Sequence, residues 1–220
     1  MPGKQQAKPR LTRREKKAQI SGLIKTANES KDLLSHIQPW TIFKDHGLDL
    51  KIECARSKEI ESSTFNEIFN LLKNNMQVLY EKSDWGWDET QKMEELQDEN
   101  ARFLLAKDCD GKLVGFSHFR FDIEEHQPIL YCYELQIYPE IQRKGVGKHM
   151  MDMLFLIAYH FKLVKIVLTV FKHNSAGIDF YMKALTFRYD ETCPKEEEEK
   201  CYVIFCKFVD KSELQKIKKR

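Results

Sequence analysis

The sequence predicts an α/β fold in which helices flank a mixed central β-sheet, preceded by an N-terminal helical arm. Two observations predict this class. Segments with the period-2 alternation or short apolar runs of strands alternate along the chain with longer segments of helical periodicity. Their order is strand, helices, hairpin, strand, glycine loop, helix, strand, helix, strand. That order is typical of one sheet covered by helices on both faces.

The N-terminal segment is basic and is expected to be partly helical. Apolar side chains recur at loosely helical spacing from Thr12 to about Leu34. Pro39 ends this segment, because proline disfavours helix in the residue before it. The chain therefore divides into a basic arm (1–40), a domain (41–209) and a basic C-terminal tail (210–220).

The elements of the domain follow from periodicity and turn signals. The run 164–171 is almost wholly apolar, so we expect a strand buried on both faces. Asn174 can cap the helix that follows it. The predicted strands are 48–54, 102–107, 112–121, 129–138, 164–171 and 201–208. The predicted helices are 59–82, 88–99, 146–161 and 174–184.

Charge is distributed unevenly along a chain whose net charge is only +2. Residues 1–17 hold seven Lys or Arg against one Glu, a net charge of +6, and residues 207–220 hold six against two, a net charge of +4. The part between them, 18–206, therefore carries −8. Basic ends suit nuclear import or weak contact with nucleic-acid phosphate, and an acidic body suits a basic substrate.

Neither a membrane segment nor a metal site is expected. No apolar run approaches the roughly 20 residues that span a bilayer, and the polar first residues differ from a secretory signal. The six cysteines include no C-x-x-C pair and no histidine at zinc-finger spacing, so we expect reduced thiols. A metal ion shared by Cys193, Cys201 and Cys206 is the less favoured interpretation.

A glycine loop, Gln142-Arg143-Lys144-Gly145-Val146-Gly147-Lys148, lies between a predicted strand and a predicted helix. Its two glycines allow left-handed backbone and close approach to a ligand. The following helix points unpaired N–H groups and the positive end of its dipole at the loop, and three cationic side chains add charge. The spacing is neither that of a Walker A loop nor that of the G-x-G-x-x-G motif. We expect an anion site suited to a pyrophosphate.

This Q-x-x-G-x-G loop follows a strand that ends at Pro139-Glu140, and in that context it resembles the acetyl-CoA motif of the GNAT acetyltransferases. The resemblance implies the GNAT fold for the domain, acetyl-CoA as the acetyl donor, and loop amides that hold the cofactor pyrophosphate. It also implies that the backbone of Leu135, Gln136 and Ile137 pairs with the pantetheine arm. Asn174 then lies near the cofactor, which is compatible with its being a helix cap.

Four less common segments carry a narrower resemblance. They are 80–87, 116–122, 130–134 and 168–174, and they look like the N-alpha-acetyltransferase D (NatD) family. That family acetylates the N-terminal amine of core histones whose tails begin Ser-Gly-Arg-Gly, the H-four and H-two-A histones. The resemblance covers roughly 40–206 and is weaker at the termini and at 191–201, where an acidic run, 195–200, replaces the expected loop.

Glu134 is the candidate general base. An α-amine has a reference pKa near ~8 and must lose a proton before it attacks a thioester. Glu134 lies on the strand just before the cofactor-binding backbone, so its carboxylate can take that proton directly or through a water. Strand alternation predicts Glu134 on the face of Cys132 and Gln136, with Tyr131 and Tyr133 opposite, unless a bulge intervenes. Cys132 as a covalent nucleophile is the less favoured alternative.

Substrate contacts are carried over from the resemblance at matching positions. Asp122 and Glu124, with Ile123 between them, are expected to bind the Arg at the third position of the histone tail through charge-assisted hydrogen bonds. Aromatic walls for a narrow slot and two hydroxyl contacts complete the set. These residues are Tyr80, Trp85, Tyr133, Tyr202, Thr169 and Thr192.

Three functional hypotheses share this loop. The first is a histone N-terminal acetyltransferase, nuclear and cytoplasmic, whose partners are histone tails and which acts as a monomer with no membrane contact. The second is a GNAT enzyme that acetylates lysine or small amines. The third is a catalytically silent module that binds acetyl-CoA or histone. Glu134 and the segment 80–87 favour the first.

Overall fold

The protein is described by a computed structural model in which residues 12–219 are placed. Its centre is one eight-stranded sheet with the strand order β1-β2-β3-β4-β5-β6-β8-β7. The strands are β1 (Ile42–Asp45), β2 (Leu48–Arg56), β3 (Arg102–Lys107), β4 (Leu113–Glu124), β5 (Gln127–Ile137), β6 (Lys165–Phe171), β7 (Arg188–Tyr189) and β8 (Tyr202–Phe208).

The helices cover this sheet from both sides. They are α1 (Arg13–Glu29), α2 (Ser62–Glu81), α3 (Glu89–Gln97), α4 (Val146–His160), α5 (Ser175–Asp179) and α6 (Lys211–Lys218). Neighbouring strands are antiparallel except β5 and β6, which are parallel, so the sheet is mixed. The predicted α/β class and mixed central sheet are confirmed.

Each face of the sheet carries its own apolar core. On one face α4, whose residues are mostly apolar, packs against β4, β5 and β6, with Met150, Leu154 and Ile157 fully buried. On the other face α2 covers β3 and β4 through residues such as Ile68 and Leu72. Burying both faces of the central strands requires the nearly unbroken apolar run that the sequence shows at 165–171.

Several predicted boundaries were wrong, and each has a local cause. Two strands at the edges of the sheet, β1 and β7, were not predicted, because segments of four and two residues are too short to show alternation. The first helix ends at Glu29, short of the predicted Leu34. Just beyond it, the Asp32 carboxylate accepts hydrogen bonds from the N–H groups of Leu34 and Ser35, a local turn that competes with helix.

Both basic terminal segments pack on the domain where they are described. In α1, Ala27 is fully buried, and the guanidinium groups of Arg56 and Arg102 donate to the carbonyl oxygens of Asn28 and Ser30 at the end of the helix. The segment predicted as a basic tail contains α6. The first part of the arm, residues 1–11, and the last residue of the chain lie outside the described residues.

α6 is held to the sheet at two points. Ile217 is fully buried, and Glu213 forms a salt bridge of 2.6 Å with the buried Lys207 of β8. Within residues 12–219, no helix is long and apolar enough to cross a bilayer.

Candidate active site

The site begins where two parallel strands part. In the described chain, β5 pairs with β6 only from Ile129 to Tyr131, opposite Lys165 to Val167. After Tyr131 the strands diverge, although β5 stays paired with β4 as far as Ile137. A cavity of about 940 Å³ fills the gap, and the stretch from Tyr131 to Ile137 lines it. The second half of β5 therefore offers a free backbone edge to a ligand.

The glycine loop closes one end of this cavity. Gly145 has φ 85° and Arg143 has φ 62°, so two loop residues adopt left-handed backbone. Gly145 is also the N-cap of α4, and in the described structure no side chain caps that end of the helix. The first N–H groups of α4 are therefore available to an anion, as the sequence predicts for a pyrophosphate site.

The two loop glycines have different roles. Left-handed backbone was expected to be available at both, but it is Arg143 and Gly145 that use it, while Gly147 is helical. A Cβ on Gly147 would lie 3.4 Å from Cζ of Phe180 and 3.7 Å from Cδ2 of Leu135. Gly147 thus lets α4 begin close against β5.

Some polar side chains at the cofactor end of the cavity already form hydrogen bonds or salt bridges within the protein. Gln142 donates from Nε2 to the carbonyl oxygen of Ile137 (3.0 Å), which ties the loop to the end of β5. Lys148 forms a salt bridge of 2.7 Å with Asp152 one turn later. Asn174 accepts a hydrogen bond from the N–H of Gly177 (2.9 Å), so it caps α5 while lining the cavity.

Glu134 lies deep in the same cavity and is only 7% exposed. The side-chain amide of Gln136 donates to its Oε2 at 2.8 Å. Burial raises the pKa of Glu134 to about 7, against the lowering effects of Lys92 and of the Gln136 hydrogen bond. A carboxyl group that changes protonation state near neutral pH and opens to a cavity is suited to accept a proton.

A β-bulge at Tyr133 sets the direction of Glu134. His118 of β4 pairs with Glu134, and the next residue, Phe119, pairs with Cys132, so Tyr133 has no partner. Consequently Glu134 lies on the α2 side of the sheet together with Tyr133, while Cys132 packs in the core on the α4 side. The predicted shared face of Glu134 and Cys132 is wrong, because simple alternation does not survive the bulge.

Cys132 is unsuited to be a nucleophile. Its side chain is 3% exposed, and its Sγ lies 3.6 Å from the hydroxyl of Ser117. Burial raises the pKa of the thiol to about 12, so it is protonated at neutral pH. This favours direct attack on the acetyl donor over a covalent enzyme intermediate.

Aromatic rings wall the cavity beside Glu134. The Tyr80 ring lies 4.9 Å from Phe171, and the Trp85 ring lies 5.2 Å from the same residue. On the sheet, Tyr133 stacks on His118 at 4.9 Å, and Thr169 shares a hydrogen bond of 2.6 Å with Tyr131. These rings form an aromatic wall on the side of the cavity next to Glu134.

A family model identifies this arrangement. Residues 65–187, more than half of the chain, match the model described as the acetyltransferase (GNAT) family. The chain belongs to the GNAT acetyltransferase family. Its glycine loop, parted strands and cavity all lie within the matched range.

Solved structures share this fold at low sequence identity. A GNAT acetyltransferase from Listeria monocytogenes matches with a TM-score of 0.55 at 12% identity, over 76% of this chain and 99% of that one. NAA60 from Arabidopsis thaliana, solved with a bisubstrate analogue, matches with 0.51 at 13% identity, over 72% and 98%. PaiA N-acetyltransferase from Thermoplasma acidophilum, in complex with coenzyme A, matches with 0.52 at 18% identity, over 72% and 99%.

The GNAT family uses acetyl-CoA, and the residues of this chain fit that molecule. The left-handed backbone at Arg143 and Gly145 and the uncapped start of α4 suit its pyrophosphate, and the free edge of β5 suits its amide-containing arm. Among the loop residues, Lys144 does not line the cavity, and the Val146 side chain is buried in the core. Val146 therefore contributes only its backbone.

Five predicted substrate residues of this acetyltransferase lie outside the cavity lining: Asp122, Ile123, Glu124, Thr192 and Tyr202. Asp122 and Glu124 lie further along β4 on the face of Arg120, whose guanidinium covers the Tyr133 ring at 4.5 Å. The Asp122 carboxylate accepts a hydrogen bond from the N–H of Ile123. One oxygen of Glu124, Oε2, is buried without a hydrogen-bond partner within the described structure, and burial raises the pKa of this carboxyl.

The other two residues lie on the far side of the slot. Thr192 donates to Asp190 (2.8 Å), which also forms a buried salt bridge of 2.6 Å with Lys165. The Tyr202 ring lies 5.0 Å from that of Trp85 and so supports the aromatic wall from behind.

Sequence reasoning missed Lys92 and Glu95, which line the cavity from α3, and Asn75, whose side-chain amide donates to the Ile137 carbonyl at 3.1 Å. Lys92 and Glu95 are an ordinary i, i+3 pair on an acidic helix, so no local signal placed them at the site. In residues 12–219, no group of three or more His, Cys, Asp or Glu side chains is arranged to hold a metal ion.

The backbone of Gly145 provides a test of the cofactor loop. Gly145→Ala and Gly111→Ala each place a side chain at left-handed φ (85° and 80°), and each is expected to cost about 1 kcal/mol of unfolding free energy. Only Gly145→Ala is expected to weaken acetyl-CoA binding, on the order of tenfold, because strain in the loop opposes the bound geometry. Calorimetric titration measures the affinities, and equal affinities for the two variants contradict the assignment.

Proposed function

We propose that this GNAT acetyltransferase transfers acetyl from acetyl-CoA to the N-terminal amine of histones whose tails begin Ser-Gly-Arg-Gly, the H-four and H-two-A histones. The observation that carries the proposal is Glu134, a buried carboxyl group with a pKa near neutrality beside the free edge of β5. The four segments that resemble NatD, 80–87, 116–122, 130–134 and 168–174, support the choice of acceptor.

The chemistry assigned to Glu134 is proton transfer. Acetyl-CoA supplies a thioester carbonyl for attack, and the amine nitrogen must be neutral to attack it. The Glu134 carboxylate would take one proton from the amine, directly or through one water, as the C–N bond forms; when the C–S bond breaks, that proton would pass to the leaving sulfur, which restores the Glu134 carboxylate. Gln136 donates to Glu134 and so orients its carboxylate.

The aromatic lining of the slot supports a small N-terminal residue. Tyr80, Trp85 and Tyr133 line the cavity, and serine or glycine needs the least room beside their bulky rings. Asp122 and Glu124 lie along β4 outside the cavity lining, where we propose that a later residue of the bound tail meets them. Their carboxyl groups match the guanidinium of that arginine in charge, and Glu124 holds an oxygen without a partner in the described structure.

The proposed partners are therefore histone N-terminal tails, met as a monomer in the nucleus and the cytoplasm. The charge pattern of the sequence supports this choice, because an acidic body of −8 attracts a basic tail. The basic ends are proposed to contact nucleic acid only weakly.

The direct test is acetyl transfer to a peptide that begins Ser-Gly-Arg-Gly, run beside the same peptide with a blocked α-amine and intact internal lysines. We expect acetylation of the free α-amine only. Acetylation of both peptides would show a lysine acetyltransferase instead. Binding of the peptide without any transfer would show a catalytically silent module.

Glu134→Gln is expected to lower kcat by about 10²–10⁴-fold, because the amide cannot accept the proton. Affinity for acetyl-CoA should stay within a few-fold. In the wild-type enzyme, kcat/KM should fall as the pH drops through about 7, since Glu134 is active only when ionised. Equal turnover of the variant and the wild type would exclude Glu134 as the base.

Asp122→Ala is expected to weaken peptide binding on the order of tenfold or more, because it removes a carboxylate opposite the arginine. A peptide with alanine at the third position should bind the variant and the wild type equally well. If the variant binds both peptides as tightly as the wild type does, Asp122 is not the partner of the arginine.

A further inference from the structure

Lys92 is a cation placed at the candidate active site by a short helix. It lies on α3, is 9% exposed, and lines the cavity that contains Glu134. Its Nζ lies 4.3 Å from the centroid of the Tyr80 ring and 2.6 Å from Oε2 of Glu95. A lysine is rarely buried this far without a specific reason, because removing an ammonium group from water is costly.

The surroundings of Lys92 hold it in place. The Tyr80 ring faces the ammonium group in a cation–π contact, and Glu95 supplies a salt bridge from the same helix. Glu95 is itself anchored, because the Arg120 guanidinium donates to its backbone carbonyl and also reaches Asp98 at 3.0 Å. The ammonium group is thus fixed at one wall of the cavity.

Glu134 is influenced by titratable groups from several elements. Lys92 and Glu95 act on it from α3, Tyr80 faces it from α2, and Tyr181 faces it from the short π-helix (Phe180–Ala184) that follows α5. His118 of β4 pairs with Glu134 across the sheet, and burial lowers the pKa of its imidazole to about 3, so this ring is neutral. Cys132 and Gln136 are its neighbours on β5. Among these groups, Lys92 is the one that carries a positive charge.

We propose that Lys92 is a positioning residue that keeps Glu134 ionised in its buried site, and that the Lys92–Glu95 pair sets the pH at which the enzyme becomes active. The proposal rests on the proposed function, because it requires Glu134 to be the base. Lys92 itself neither gives nor takes a proton in the reaction.

The two charges act on Glu134 in opposite directions. Burial raises the pKa of Glu134, Lys92 lowers it, and Glu95 raises it. Removing the ammonium group leaves the burial effect unopposed, so Glu134 should bind its proton up to a higher pH. Removing the Glu95 charge removes an effect that raises the pKa of Glu134, and the lowering effect of Lys92 is then less opposed. Glu134 should therefore release its proton at a lower pH.

The test uses the full-length protein and four substitutions: Lys92→Met, Lys92→Arg, Glu95→Gln and, as a matched control, Lys73→Met. Lys73 pairs with Glu89 between α2 and α3 but does not line the cavity. The ionisation of Glu134 is followed without substrate by carbon-13 NMR of labelled glutamate carboxyl groups, with Glu134→Gln assigning the signal. The pH dependence of kcat/KM with the Ser-Gly-Arg-Gly peptide is measured in parallel.

We expect Lys92→Met to move the Glu134 midpoint up on the order of one pH unit and Glu95→Gln to move it down, whereas Lys92→Arg and Lys73→Met leave it near the wild-type value. The acid limb of kcat/KM should move by the same amounts. General loosening of the site cannot produce shifts of opposite sign.

No shift in either variant, or shifts of the same sign in both, would overturn the role of Lys92, even if Glu134→Gln abolishes turnover. Opposite midpoint shifts together with full turnover in Glu134→Gln would instead overturn the assignment of Glu134 as the base. If Lys92→Met does not fold, Lys92→Gln, which also removes the charge, takes its place in the comparison with Glu95→Gln.

Discussion

One edge of β5 pairs with β4 along its length, interrupted only by the bulge at Tyr133, but after Tyr131 the other edge no longer pairs with β6. A strand edge inside a protein carries N–H and C=O groups that must be satisfied by some partner. In this enzyme the divergence of two parallel strands creates a polar edge in a deep cleft, and the cofactor is a molecule with amides to match it. The glycine loop, the helix that follows it and the acceptor slot are all placed relative to that divergence.

The bulge at Tyr133 changes which side chains of the same strand face the cavity. Without it, Glu134 would share the face of Cys132 and point into the apolar core beneath α4. The extra residue turns the carboxylate to the other face, where α2 and α3 wall the cavity. The divergence from β6 and the bulge against β4 occur within a few residues of each other on β5. Under the proposed function, this one strand contacts both the cofactor and the acceptor.

Much of this architecture was predictable because it depends on patterns of residues that are close together in the sequence. The strand at 165–171 shows its burial on both faces as an apolar run, and the loop at 142–148 shows its function through glycines between a strand and a helix. The bulge was not predictable, because it depends on how β4 pairs with β5. The sequence around Tyr133 and Glu134 carries no signal of a shift in that pairing. Lys92 was missed for a related reason. Its ammonium group on α3 contacts the Tyr80 ring on α2. The spacing of residues within α3 does not show which face of that helix lines the cavity.

Hydrogen bonds join the end of α1 to the sheet. Arg102 is only 3% exposed, and its guanidinium donates to two carbonyl oxygens at the end of α1, with Arg56 beside it. These carbonyls lie at the negative end of the helix dipole, where positive charge is favoured. Cutting the chain after residue 30 would separate the helix from the domain and leave a buried cation without acceptors, at about 1–3 kcal/mol for each lost partner. The end of the helical arm is therefore part of the packed structure, although composition alone divides the two.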